Sequence, residues 1–280
     1  MTGLPLELFF EISKYLKFTD IVNLCSINSK WERYCGSSIF QTELRKQISP
    51  DKITDSLFEA ITGNNISVLI NILNYGIDVN VKNEADMSAL HLAIEYDKYT
   101  ITKLLLEFGA NPNITSMRFP ILIDYTNYRD KQMVKLLLQH GADPNINTEM
   151  GLTSLHFACH DNYVEIVEVL LKYSANPNIQ ADSGNTPLIF ATDQFNPSVI
   201  IVQLLLEYRA DPNIQDKSGN TPLFYAANNN NIKIVDLLLQ NGSNPNIQNN
   251  DNDTILFLVS NDSKIDIPVV NLLLKYGGKM

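Results

Sequence analysis

A ten-residue phrase, Leu-Leu-Leu-x-x-Gly-Ala-x-Pro-Asn, returns along this 280-residue chain roughly every 33 residues, and a period of that size marks a stacked repeat array. Copies run from Leu104 to Asn113, Leu136 to Asn145, Val169 to Asn178, Leu204 to Asn213 and Leu237 to Asn246. A degenerate copy ends at Asn80 and a truncated one spans Leu272 to Gly278, which makes seven units over residues 51–280.

A second phrase precedes each of these, as in Thr186-Pro187-Leu188 through Ala191, Thr221-Pro222-Leu223 through Ala226, and Thr153-Ser154-Leu155-His156-Phe157-Ala158. A Thr that caps free backbone N–H groups, followed by a Pro whose missing N–H costs nothing at the first helical position, opens a helix. The Leu triplet closes a second helix, after which Gly141 or Gly242 takes a left-handed conformation. Between the phrases lie tight-turn signals, Asp182-Ser183-Gly184-Asn185 and Asp216-Lys217-Ser218-Gly219-Asn220. The order is hairpin turn, helix, helix. The fold class is therefore all-α, a solenoid of helix-turn-helix units joined by hairpin turns. Ordering one such unit alone costs more conformational entropy than its few buried apolar side chains return, so the units must stack.

The hairpin-helix-helix order, with the Thr-Pro-Leu and Leu-Leu-x-x-Gly-Ala phrases, resembles the ankyrin repeat. The resemblance implies a surface that binds another protein, with turns and first helices lining one concave face. The residues outside the core phrases on that face are Glu84, Met87, Glu95, Tyr96, Glu149, Met150, Leu152, His160, Asp182, Asp193, Lys217 and Asn228. They form the candidate target-binding strip. Large apolar residues on a solvated turn, Met150 and Leu152 above all, are its candidate anchors.

Residues 1–48 do not share the repeat. Leu8, Ile12 and Leu16 recur at four-residue spacing on a helix opened by Pro5. Thr19 or Asp20 caps a second helix carrying Ile21, Leu24 and Ile27, and Trp31 falls in a third. This register, Leu4-Pro5-Leu6-Glu7-Leu8, then Glu11-Ile12, Tyr15-Leu16, Asp20-Ile21 and Trp31, is similar to the F-box. The similarity implies docking on a Skp-type adaptor of a cullin ubiquitin ligase through Leu4, Pro5, Leu8, Ile12, Leu16, Leu24 and Trp31. The chain would then be the ligase's substrate-recruiting adaptor. The competing reading makes it an ankyrin scaffold or competitor without a ubiquitin role, its N-terminal helices merely shielding the first repeat. An F-box followed by ankyrin repeats, in a chain rich in Asn, Ile and Lys, also resembles proteins of large DNA viruses that replicate in eukaryotic cells.

Charge narrows the partners. The net charge is −10; residues 1–50 hold six Lys and Arg against five Asp and Glu, leaving 15 against 26 in the array. An acidic array repels phosphate backbones and anionic lipid, so neither nucleic acid nor membrane is expected, and the target should present a basic surface. Cys25, Cys35 and Cys159 show no paired metal spacing and no disulfide framework, and no run resembles a signal peptide or a span of ~18 apolar residues. An intracellular protein, in cytoplasm or nucleus, is expected.

Little in the chain resembles catalytic chemistry. His156 and His160 stand four apart with Cys159 between them, but His156 falls where the ankyrin family uses an imidazole to bridge units, as does His91, and no metal site is expected. His140 suits a helix C-terminus. No nucleophile adjoins a base and no glycine-rich phosphate loop occurs, so the expectation is no enzyme and no cofactor. Asn113, Asn145, Asn178, Asn213 and Asn246 are expected to bond their own turns. Ser174 and Arg209 replace the left-handed Gly. The third unit is irregular: read with Phe119-Pro120 in place of Thr-Pro, its turn is two residues short and Asp124 takes the Ala position, which predicts a weakened unit.

Overall fold

The computed structural model describes residues 20–21, 50–115, 119–194, 196–261 and 267–279. Of the predicted N-terminal module, Asp20 and the fully buried Ile21 are helical. Leu4, Pro5, Leu8, Ile12, Leu16, Leu24 and Trp31 lie outside the described residues.

The chain divides into two compact bodies between Pro112 and Asn113. The first holds α1 (Pro50–Thr62), α2 (Ile66–Asn74), α3 (Ala89–Glu95) and α4 (Tyr99–Glu107). The second holds α5 (Ile121–Asn127), α6 (Lys131–Gln139), α7 (Ser154–His160), α8 (Val164–Lys172), α9 (Pro187–Thr192), α10 (Val199–Glu207), α11 (Pro222–Asn228), α12 (Ile232–Gln240), α13 (Ile255–Asn261) and α14 (Ile267–Lys275). Among the described residues these form seven helix pairs, and the remaining pairing is limited to isolated antiparallel bridges at the hairpins, such as Asn147 with Thr153 and Gln248 with Thr254.

Local chemistry sets each pair. Thr186 accepts the Ile189 N–H at 3.3 Å and Pro187 starts α9. Ser88, Asp130 and Ser198 cap α3, α6 and α10 in the same way. The chain reverses between paired helices at left-handed residues, including Asp97, Asn162 and Asn230, and leaves each second helix through another, Gly141 or Gly242 at φ 88° and 89°. Ser174 and Arg209 hold the same conformation at φ 67° and 68°, a cost of about 1 kcal/mol each that packing must offset.

In the second body α7 packs on both α5 and α9, while α8 packs on both α6 and α10. First helices thus form one layer and second helices another. Leu155 and Ala158 from α7, with Val167 and Leu170 from α8, are fully buried between them, each Leu or Val side chain contributing about 2 kcal/mol of transfer free energy.

The third unit corrects its sequence reading. The residue that caps α5 is Pro120, not Phe119. Arg129 and Gly141, both left-handed, stand to Pro120 as Asn162 and Ser174 stand to Thr153. The bridge of Thr115 with Pro120 therefore closes a turn one residue shorter than that of Asn147 with Thr153, not two. This shift places Tyr125, 6% exposed, at the position of Ala158, Ala191 and Ala226. Asp124 instead occupies the partly exposed position of Phe157, Phe190 and Tyr225. Pro120 stands at the cap itself and not at the first helical position, because its fixed φ of −52° suits the extended entry to the helix as well as the first turn. The predicted weakness through Asp124 falls with that register. The loss of a side-chain cap remains, since Pro120 offers none.

Candidate protein-binding face

Successive units are tied by side chains that reach across a full repeat. Asn178 Oδ1 accepts the Asp211 N–H at 2.7 Å while its Nδ2 donates to the Arg209 carbonyl at 3.0 Å. Asn113, Asn145, Asn213 and Asn246 make the same pair of bonds to the next unit in the second body, as Asn80 does in the first. The side-chain amides of these asparagines reach the next unit, whereas the sequence expectation has them bond their own turns. The residue two places earlier bonds its own turn: Asp143 and Asp211 accept from the N–H groups of Asn145 and Asn213 at 2.9 Å. The longer-range role needs a partner a whole repeat away, which a local reading of turn propensity does not contain.

The hairpins are joined too. Asp182 N–H donates to the Met150 carbonyl, Lys217 N–H to Ser183 and Asn250 N–H to Ser218, at 2.9 to 3.0 Å. Gly184 makes this approach possible, because a Cβ there would meet Lys217 N at 2.6 Å.

His156 braces the first-helix layer. The backbone N–H of Thr153 donates to Nδ1 at 3.1 Å, so Nδ1 is the bare nitrogen and Nε2 carries the proton, which it donates to the Asn185 carbonyl at 3.2 Å. Burial pulls this imidazole down to about 4, and it is neutral in the fold. This is the bridge between units expected at this position. His160 is turned away, toward Asp161 at 2.7 Å. Burial raises the Cys159 thiol, which leaves it unreactive as a nucleophile.

With these groups committed to structure, what faces outward are the hairpin tips and the ends of the first helices. In the first body Glu84, Glu95 and Tyr96 are exposed and Met87 partly so. In the second, Glu149, Met150, His160, Asp182, Asp193, Lys217 and Asn228 are exposed, Met150 at 67%, and Leu152 is partly exposed. Some of these come together: Met150 and Asp182 meet through their backbones, and His160 lies beside the Phe190 ring at 5.9 Å between centroids.

Sequence reasoning missed a row on the same layer, the residue immediately before each short Ala. It is Phe157, Phe190 and Tyr225, all partly exposed. Phe119 adds a tilted ring contact to Phe157 at 6.1 Å. Tyr225 donates its hydroxyl to Asp216, which also accepts the Ser218 and Asn220 N–H groups at 2.8 and 2.9 Å. Burial, and then that bond to Asp216, push the phenol up to about 12. Asp193, next to this pair, is held above its usual value by burial, with the Asp216 charge acting in the same direction against a bond from Asn229. The signal was readable as an aromatic recurring before Ala158, Ala191 and Ala226.

A stack of helix pairs whose polar side chains bind its own next unit, and whose outward face mixes aromatic rings with acids, defines a helical repeat array of the protein-binding class. Comparison with known proteins gives the family. Residues 122–216 and 194–280 match the family "Ankyrin repeats (3 copies)", and residues 72–125 match "Ankyrin repeats (many copies)". The chain belongs to the ankyrin repeat family, and its residues 1–42 match the F-box domain. A putative ankyrin repeat protein of fowlpox virus (strain NVSL) is 39% identical over 66 residues, 24% of this chain and 9% of the relative. One of Acanthamoeba polyphaga mimivirus is 39% identical over 56 residues, 20% of this chain and 30% of the relative. The matches thus span well under half the length of either curated relative. Among solved structures, the ankyrin repeat domain of Bcl-3, described as a unique member of the IkappaB protein family, superposes with a TM-score of 0.65 at 26% identity, over 78% of this chain and 97% of that one. Among the described residues no helix is long and apolar enough to cross a membrane.

Proposed function

We propose that this chain is a substrate-recruiting adaptor of a cullin-type ubiquitin ligase, acting by binding and not by catalysis. Its F-box docks on a Skp-type subunit through Leu4, Pro5, Leu8, Ile12, Leu16, Leu24 and Trp31. Its repeats hold a target protein with a basic surface through the hairpin tips and first-helix ends, Glu84 to Asn228. The observation that carries this reading is the pairing in one chain of an F-box at residues 1–42 with ankyrin repeats over residues 72–280. Each kind of domain is a protein-interaction module, so one chain has a surface for the ligase and a separate one for the target. The likeness to ankyrin repeat proteins of fowlpox virus and mimivirus supports a site of action inside a host cell.

Affinity purification of the full chain from eukaryotic cells tests it. A Skp-type subunit and a cullin should be recovered in stoichiometric amounts. Recovery of a target without either ligase component would support the scaffold or competitor role instead.

A further inference from the structure

We propose that the ledge formed by Phe190, Asp193, Asp216 and Tyr225 is an arginine-binding site, the place where the target's basic segment is anchored; this rests on the reading of the repeat face as target-binding.

Four observations converge on that ledge. Phe190 and Tyr225 occupy equivalent positions in adjacent units and leave part of each ring open to solvent. Asp193, exposed at the end of α9, lies close enough to Asp216, fixed by Ser218, Asn220 and Tyr225, for the two carboxylates to repel each other. Among the described residues no Lys or Arg makes an ion pair with either carboxylate; the ion pairs of the second body are Lys131–Glu165, Lys172–Glu168 and His160–Asp161. The His160 ring, beside Phe190, is bonded through Nδ1 to Asp161.

A guanidinium fits this combination better than an ammonium. It is planar, so it stacks on an aromatic face, and its fork of donors reaches two acceptors at once. The second body already contains one such stack: the Arg129 guanidinium carbon lies 4.8 Å from the Tyr163 ring centroid. An arginine laid against Phe190 and directed at Asp193 would also relieve the repulsion between Asp193 and Asp216.

Titration of the full chain with N-acetyl-arginine amide, followed by amide NMR, tests the site. Saturable shifts are expected at Phe190, Asp193, Tyr225 and Asn229, weaker with the lysine analogue and absent with the uncharged citrulline analogue. Asp193→Asn keeps the acceptor for Asn229 and should weaken arginine binding about tenfold, as loss of one charged partner does; Phe190→Leu should weaken it less. The absence of saturable shifts, equal shifts with citrulline, or binding unchanged by Asp193→Asn would overturn the assignment. Capture of the Skp-type subunit is unaffected by Asp193→Asn in this scheme. Failure of that capture in the unsubstituted chain would therefore strike the adaptor role and leave the arginine site standing.

Discussion

His156 is held between two units by opposite ends of one ring, its bare Nδ1 accepting from Thr153 and its protonated Nε2 donating to the carbonyl of Asn185. Only the neutral imidazole serves both, since a second proton would meet the Thr153 N–H head on. Its folded value of about 4 lies below the ordinary 6.5. The stability it supplies is therefore fully present above about pH 6.5 and is lost as pH falls toward 4, by about 3 kcal/mol in all. Denaturant midpoints of the unsubstituted chain and His156→Gln, compared across that window, should converge as pH falls. Parallel curves would show that His156 does not couple the units through its neutral form.

The asparagine ladder makes a second testable claim. Asn178→Ala removes both the acceptor of the Asp211 N–H and the donor to the Arg209 carbonyl. These groups are solvent-accessible, so water replaces part of the loss and the cost should be about 1 kcal/mol. Asn178→Asp keeps the acceptor and loses the donor, and should fall between. Hydrogen exchange would localise the effect: protection should drop at Asp211, a repeat away from the substitution, before it drops in the substituted turn. Loss confined to the Asn178 turn would favour the local role.

The third unit offers a test in which sequence and structure give opposite signs. By the repeat pattern, Tyr125→Ala restores the small residue found at Ala158, Ala191 and Ala226. In the fold, Tyr125 is 6% exposed and stacks edge-on to Tyr128 at 6.1 Å, so truncation empties a filled site. Destabilisation of about 3 kcal/mol is expected from a buried ring lost to a cavity. Thermal unfolding of this variant reads the sign directly, and a gain in stability would show that the register with Asp124 at the Ala position is right after all.

These cases show where the sequence was sufficient. The helix starts at Thr186 and Pro187, the Leu triplets, and the left-handed Ser174 and Arg209 follow from interactions within one turn, and the fold bears them out. The Asn178 bridge depends on a residue a repeat away, and the Tyr125 register depends on which residue of Phe119-Pro120 caps the helix. Those are facts of stacking, invisible to local propensity. The same holds for the binding face. Exposed hairpin residues such as Met150 and Asp182 could be read from the turns, whereas the juxtaposition of Phe190, Asp193 and Tyr225 on one ledge depends on neighbouring first helices lying side by side.

A charge test separates encounter from grip. Charge reversal at Glu149 and Asp182, both exposed at neighbouring hairpin tips, should slow association with a basic target more than it speeds dissociation, and the slowing should shrink at high salt. Surface plasmon resonance with the captured target measures both rates. Association insensitive to salt would mean the target does not approach along these tips.

The central claim is that the two ends of one chain join a ligase to a target. Quantitative mass spectrometry of proteins co-purified with the full chain, set against its Leu8→Ala/Ile12→Ala variant, tests this most directly. The predicted result is loss of the Skp-type subunit and cullin from the variant with the target retained at its original level. Co-purification of both ligase components at unchanged levels, or loss of target together with ligase, would contradict it.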